Sequence, residues 1–459
     1  MRGCIDGIAM NDPVIRQNKQ ERGGSLGALG RNFVWLLGGR GAAAVFSFMY
    51  IAIMTRSLGR EGFGQFVLIV GAAQAVTAFV GFQTWQIVVR FGMERLKAGR
   101  ERTLVRLLKL CLLLDAGGAL VGAGLAAVVI ILLGPLFGWD ADMSWIAFWF
   151  AIATLVSVRS TAAGILRLYD RFGLSANADA ALTAARLVGV LVVWVFSPTI
   201  TAFILAWGAA EFVAMAVYWL SARHAWGDLR WDAAALSVKE TFAESPGLAR
   251  FAVATNMAQT VVLAGKQLPV LLTGLFVGPA AAGGFQIALQ LGRAMATVGR
   301  MTVQVLLPEM VRTRTFNNGL EDFYKILGKA LKIGLIAGAV VAGVILLFGK
   351  LALVLIAGAP FESAYPLLLI VGVAAAIDLA TVSFEPALYA IGRETLALKV
   401  RVFVTTVYVG AMVWLGQEHG ARGIAFATLG AAILGAGLLS FALRRALADT
   451  KEADATAAE

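Results

Sequence analysis

The sequence predicts an all-α polytopic membrane protein, with twelve transmembrane helices in two six-helix lobes related by a parallel repeat around a V-shaped central cleft. Three observations predict it. Charged residues make up only 15% of the 459 residues and hydrophobic residues 59%, with a mean hydropathy of +0.80, whereas soluble chains carry about 25% charged residues. Twelve apolar stretches each approach the roughly 20 residues that a helix needs to cross about 30 Å of hydrocarbon. Short strings that follow the first and fourth of these stretches recur after the seventh and tenth. The 51 glycines and only 10 prolines also suit helices that pack closely through small residues.

Residues 1–30 form a polar tail, expected on the cytoplasmic side, without the apolar core of a cleaved secretion signal. The first span is therefore expected to stay in the membrane. Spans are expected near 32–55, 63–88, 104–133, 143–168, 173–196 and 199–221, making an N-lobe over 31–222. A charged cytoplasmic linker, 223–247, ends in "ESPG" (244–247). Spans near 248–275, 280–307, 326–349, 364–391, 396–416 and 421–443 make a C-lobe over 248–445, and 446–459 is a second cytoplasmic tail. Cys4 and Cys111 fall in the first tail and in an apolar span, so no disulfide framework is expected.

Loop charge sets the orientation. The segment 90–109 carries seven basic residues and 300–332 carries six, while 134–142, 197–198 and 276–279 carry none. The other outer loops hold only Arg56, Arg60, Lys350 and Arg422. Basic loops stay inside, which places both termini in the cytoplasm; a bacterial inner membrane is the expected location. Trp139 and Trp145 beside an outer loop, and Trp226 and Trp231 in the linker, fit interfacial anchors. The net charge of +11 thus reports topology and attraction to anionic lipid rather than nucleic acid.

The repeat can be aligned without gaps. "LGREGFGQF" (58–66) and "VGPAAAGGF" (277–285) match at Gly59/Gly278, Gly64/Gly283 and Phe66/Phe285, an offset of 219. "LYDR" (168–171) and "AIGR" (390–393) recur at an offset of 222. Six spans separate each pair, an even number, so both halves share one orientation, as parallel repeats do. These strings, with "GPAAAGGFQIALQLGRA" at the start of the eighth span, "LLPEMVR" (306–312), and "AGAPFESAYPLLLI" (357–370) before "ALYAIGR" (387–393), resemble the oligosaccharide flippase family from about residue 27 to 445. That resemblance implies export of lipid-linked polysaccharide units, in a superfamily that also contains multidrug and toxin extruders. It implies that the first, second, seventh and eighth helices line the cleft. One departure stands out: mid-way along the seventh span, where the family leads one to expect an acid, this chain reads "AGKQLPVLLTG", with Lys266 and Pro269.

Embedded charges are costly, so they tend to face a cavity or a partner. The cations are Arg40, Arg159, Arg186, Lys266 and Arg293; the acids are Asp115, Asp179, Glu211, Asp378 and Glu385. Arg40, Lys266 and Arg293 lie on the expected cleft helices, which carry no interior carboxylate. The eighth span adds a stripe of Gln286, Gln290, Arg293, Thr297, Arg300 and Gln304, within an arc of roughly 80° at about 100° per residue. The seventh carries Asn256, Gln259, Thr260, Lys266 and Gln267 on one face; the second carries Gln74, Thr77 and Thr84, with Gln74 the repeat counterpart of Arg293. Interhelical hydrogen bonding is the competing reading of such stripes, and Arg300 can snorkel to the cytoplasmic interface. Asp179, Thr183 and Arg186 share a face, either as a structural pair or as a site; Asp115 and Glu211 read as packing ties. Asp378, Thr381, Glu385 and Tyr389 share a face that suits proton or Na⁺ coupling.

A diphosphate leaving water needs charge-assisted hydrogen bonds, and glutamine amides match glycan hydroxyls. The sequence therefore nominates Arg40, Lys266 and Arg293 for a polyprenyl diphosphate, Gln286 and Gln290 for the glycan, Gln259 and Gln74 as further substrate contacts in the cleft, and Arg300 as an entry contact. No cofactor or metal is expected. A polymerase and glycosyltransferases are the expected protein partners, and alternating access is the expected mechanism. Three alternatives compete. A glycosyltransferase would use Asp140 and Asp142, a D-x-D on an outer loop too short for a catalytic domain. An ATP-driven pump needs a G-x-x-x-x-G-K-[ST] phosphate cradle, which the chain lacks. A cation-coupled drug extruder needs carboxylates facing the cleft, where this chain places cations.

Reporter fusions after Asp140, Pro279 and His419 are expected to read as external, and fusions after Lys97, Arg230 and Arg314 as cytoplasmic. Inversion at any two of these positions contradicts the topology.

Overall fold

The computed structural model describes the backbone of residues 13–227, 230–304 and 320–458, and the side chains of 44–227, 230–262, 265–297 and 325–449. Among these residues the chain is helical apart from short turns. The helices are α1 (Pro13–Val80), α2 (Thr84–Lys97), α3 (Glu101–Leu133), α4 (Ala141–Val156), α5 (Ser160–Leu168), α6 (Phe172–Phe196) and α7 (Ile200–Trp226). They continue as α8 (Val238–Ala243), α9 (Leu248–Val277), α10 (Pro279–Gln304), α11 (Leu320–Ala357), α12 (Tyr365–Ala380), α13 (Phe384–Ala390) and α14 (Glu394–Ala458). Among the described residues, eight stretches are long and apolar enough to cross a membrane, and α9 does so as two segments, Leu248–Val262 and Gly265–Val277, bent by 47°. Two of the eight, Ala44–Lys97 and Glu394–Asp449, exceed 50 residues. Each folds into two legs at a positive-φ glycine, Gly59 (φ 67°) in α1 and Gly420 (φ 58°) in α14. The amphipathic α10 is not among the eight, because its polar stripe dilutes its apolar character.

Backbone geometry carries the duplication further than the sequence strings. Gly59 (φ 67°, ψ −169°) and its counterpart Gly278 (φ 112°, ψ 172°) form the same kind of corner, in a conformation open mainly to glycine. After α5, Asp170 takes φ 54°, the one positive-φ residue other than glycine among the described residues; after α13 its counterpart Gly392 takes φ 73°. The hydrogen bonds around them repeat one for one. Asp170 N–H donates to Arg167 O (3.1 Å) and Arg171 N–H to Leu166 O (2.8 Å); Gly392 N–H donates to Tyr389 O (3.0 Å) and Arg393 N–H to Leu388 O (2.9 Å). Both are Schellman caps, which close the helix end by satisfying its last carbonyls.

The two halves meet where the repeat predicts self-contact. A Cβ on Gly64 would stand 1.9 Å from Pro279 O, and one on Gly283 would stand 3.2 Å from Gly64 Cα. Backbones thus touch directly across the seam, flanked by the buried pair Phe66 and Phe285. Arg56 reinforces this end, donating to Leu355 O (2.6 Å) and Ile356 O (2.8 Å) at the C-terminus of α11, where a cation complements the helix dipole.

Several helices break inside the bundle. The second leg of α1 stops at Val80 and resumes as α2; α4 stops at Val156 and resumes as α5; α12 stops at Ala380 and resumes as α13. The last two breaks occupy equivalent places in the repeat. Freed backbone groups find partners: Gly81 O accepts from Asn256 Nδ2 (2.8 Å), Ala78 O from Thr260 Oγ1 (3.2 Å), and Val158 O from Trp219 Nε1 (2.8 Å). The polar face of α9 therefore serves partly as backbone glue.

The linker 223–247 is fastened to the N-lobe: Arg106 of α3 pairs with Glu240 and Glu244, and Lys109 donates to Ala234 O (2.7 Å). Of the four expected interfacial tryptophans, Trp145 is exposed, but Trp139 and Trp226 are buried. Trp139 donates to Gln65 Oε1 (2.7 Å), and Trp226 packs edge-on against Trp231.

Gly64→Ala forces backbone apart at the seam and is expected to cost about 1–3 kcal/mol. Gly392→Ala places a Cβ in the left-handed region and is expected to cost about 1–2 kcal/mol. Gly124→Ala, which meets open space, is the control. Thermal unfolding in detergent measures all three, and equal melting temperatures contradict the packing described.

Candidate functional site

A cavity of about 210 Å³ lies on the seam, lined by Gln74 of α1, Gln267 of α9, and Gln286 and Gln290 of α10, with Arg186 of α6 and Trp207 of α7. Spacing i, i+4 aligns Gln286 with Gln290 on one face of α10. Gln267 donates to Gln74 Oε1, joining α9 to α1 across the opening. Trp207 is buried and held edge-on by Tyr50 (5.0 Å) and Phe66 (5.2 Å). The Arg186 guanidinium lies 4.5 Å from the centre of the Trp207 ring, a cation–π contact.

Arg186 also belongs to a triad centred on the buried Glu211. Its Nη2 donates to Glu211 Oε1 (2.6 Å), and Arg159 Nη1, from the break between α4 and α5, donates to Glu211 Oε2 (2.5 Å). The triad borders a second cavity of about 420 Å³ in the N-lobe, together with Gln74, Gln83, Asp115 and Tyr218. Here Asp115 of α3 accepts from Thr84 Oγ1 of α2 (2.9 Å) and Thr161 Oγ1 of α5 (2.6 Å). It ties both half-helices to α3, the packing role the sequence suggested. Asp179 and Arg186 do not pair: Asp179 accepts from Tyr218 Oη (2.6 Å), and Arg186 reaches across to α7 instead. A carboxylate on a neighbouring helix lies closer to the guanidinium than one two turns away on its own helix.

A third cavity, about 420 Å³, lies in the C-lobe and brings Lys266, Arg293, Asp378, Thr381 and Glu385 together with Arg401 and Tyr408. Arg293 donates to Lys266 O (3.3 Å), and Glu385 lies 3.7 Å from Arg401. Lys266 and Arg293, expected to act apart from Asp378 and Glu385, thus share one chamber with them. The stripe on α10 divides: Gln286 and Gln290 face the central cavity, while Arg293 faces the C-lobe chamber. Thr297 bonds its own helix at Arg293 O (2.7 Å), and Gln259 is half-buried on α9. The side chains of Arg40 and Arg300 lie outside the described residues, as do Gln304 and the motif at 306–312.

Sequence reasoning missed Trp207, an aromatic in an apolar helix that carries no pattern, and missed that Arg186 reaches the central cavity. The D-x-D has a structural role: Asp140 caps α4 by accepting from Met143 N–H (2.7 Å), and Asp142 sits in the first turn, where the helix dipole favours an acid. No group of metal-ligating side chains occurs among the described residues.

Known proteins resemble this arrangement. Residues 29–314 match the family described as polysaccharide biosynthesis protein. The chain is 28% identical over 346 residues to inner membrane protein YghQ of Escherichia coli K12, covering 74% of this chain and 95% of that protein. In fold it is similar to an inward-facing multidrug resistance MATE family transporter of the MOP superfamily, with a TM-score of 0.71 at 16% identity over 88% of this chain and 95% of that one. It is also similar to the lipid II flippase MurJ in an inward closed conformation, with a TM-score of 0.70 at 14% identity over 90% of this chain and 87% of the other. With well over half of its sequence matched, the chain belongs to the polysaccharide biosynthesis protein family, and it is a multi-pass membrane protein with the fold of these two transporters.

Proposed function

We propose that the protein is an inner-membrane flippase that moves lipid-linked oligosaccharide, a polyprenyl diphosphate-linked polysaccharide repeat unit, to the outer leaflet by alternating access of its two lobes. One observation carries this reading: four glutamines and an arginine line the cavity on the seam, and the adjoining C-lobe chamber holds Lys266, Arg293 and Arg401. Amides supply donors and acceptors for glycan hydroxyls. Guanidinium and ammonium groups replace the hydration of a diphosphate with charge-assisted bonds, about twice as strong as neutral ones. Kinship with YghQ, an inner membrane protein, supports the location. A polymerase and glycosyltransferases acting on the same lipid-linked unit are the natural partners.

Asp378 and Glu385 in the C-lobe chamber favour a second reading, a cation-coupled drug extruder like the multidrug transporter of similar fold. In the flippase reading the same carboxylates couple transport to H⁺ or Na⁺, or leave the membrane potential to drive a polyanion outward.

Arg293→Ala is expected to abolish export while the protein still inserts, and Arg293→Lys to retain part of it. Gln290→Ala is expected to change glycan preference more than rate. Accumulation of lipid-linked glycan on the cytoplasmic leaflet is the readout. Normal export by the combined alanine variant of Arg40, Lys266 and Arg293 contradicts the cationic site, and drug efflux without glycan export favours the extruder.

A further inference from the structure

Two donors at the N-lobe wall of the central cavity have no acceptor among the described residues. Trp207 Nε1 and Arg186 Nε are both buried and unpaired, on residues that line the cavity. An indole N–H and a guanidinium can only donate. Leaving such groups unsatisfied is costly, more so when the group is charged. Whatever ligand completes them must present acceptor oxygens. The charge on the guanidinium selects an oxyanion over a neutral hydroxyl.

The triad gives this wall its chemistry. Two guanidiniums share one carboxylate, so Arg159, Glu211 and Arg186 carry a net single positive charge in a poorly solvated setting. Arg159 can keep Glu211 while Arg186 changes partner. Such an exchange leaves no isolated buried charge, the situation that makes breaking an ordinary buried pair costly. Arg186 is also the charged residue that borders both the central and the N-lobe cavities. The Trp207 ring, fixed between Tyr50 and Phe66, holds the guanidinium beside the central cavity whichever partner it takes.

We propose that Arg186 and Trp207 form an oxyanion subsite on the N-lobe wall of the central cavity, with Glu211 acting as a built-in surrogate anion that the cargo displaces. The subsite is distinct from the C-lobe cations: it lies on α6 and α7, and it gives the cargo one anchor on each lobe. This rests on the flippase reading and specifies what the N-lobe recognises. Two cargo groups share the required chemistry, the diphosphate of the lipid carrier and the carboxylate of an acidic sugar.

The test uses the purified full-length protein in detergent, titrated separately with inorganic pyrophosphate and with glucuronate, and followed by intrinsic tryptophan fluorescence and by thermal shift. Saturable binding is expected for at least one anion. Pyrophosphate alone identifies the carrier head group as the source, and glucuronate alone identifies the glycan. Trp207→Phe is expected to remove the fluorescence response, and Arg186→Gln to weaken binding at least tenfold. Glu211→Gln keeps shape and hydrogen bonds but removes the competing charge, so it is expected to tighten binding several-fold, a gain that misfolding cannot produce. Binding that is indifferent to Arg186→Gln, weaker binding in Glu211→Gln, or no binding of either anion to the unaltered protein overturns the proposal. Because these readouts need no transport, a protein that binds through Arg186 yet exports no glycan refutes the flippase reading alone.

Discussion

In hydrocarbon, a backbone carbonyl or a charge without a partner costs several kcal/mol, and the architecture of this bundle follows from how it meets that demand. Helices that break inside the membrane free backbone groups that a continuous helix would satisfy. Asn256 and Thr260 of α9 meet that need at the end of α1, across the seam between the halves, and Trp219 meets it at the break after α4. Asp115 then draws the restarting helices α2 and α5 onto α3 through Thr84 and Thr161. The N-lobe and C-lobe cavities border helix breaks: irregular backbone is tolerated where polar side chains surround it, and those side chains make the neighbouring space polar.

Duplication produced one scaffold twice and two different interiors. The corners at Gly59 and Gly278, and the caps at Asp170 and Gly392, preserve backbone conformation over offsets of 219 and 222 residues. The side chains facing inward have diverged. Gln74 pairs with Gln267 at the seam, while its counterpart Arg293 turns into the C-lobe chamber beside Lys266. The N-lobe interior holds an arginine–glutamate–arginine triad and a carboxylate bound by hydroxyls; the C-lobe chamber mixes three cations with two carboxylates. A cargo lying across the seam therefore meets neutral amides between two unlike charged walls. The seam itself is tight, with backbone in direct contact at Gly64 and Gly283 and Arg56 tied to the end of α11.

The sequence by itself determined the class of fold, the repeat, and the set of embedded charges. Hydropathy over about 20 residues is a local property, and the glycines of "LGREGFGQF" and "VGPAAAGGF" record a backbone need that can be read from residue type alone. Spacing also set Gln286 and Gln290 on one face of α10, and the structure brings both to one cavity with Gln74. Tertiary structure alone decided how the charges combine. Arg186 pairs with Glu211 rather than Asp179, and Lys266 and Arg293 share a chamber with Asp378 and Glu385, because partners on neighbouring helices are chosen by rotation and depth, which no spacing rule encodes. Trp207 became part of the cavity for the same reason: an aromatic in an apolar helix is indistinguishable from core until its neighbours, Tyr50, Phe66 and Arg186, are in place around it.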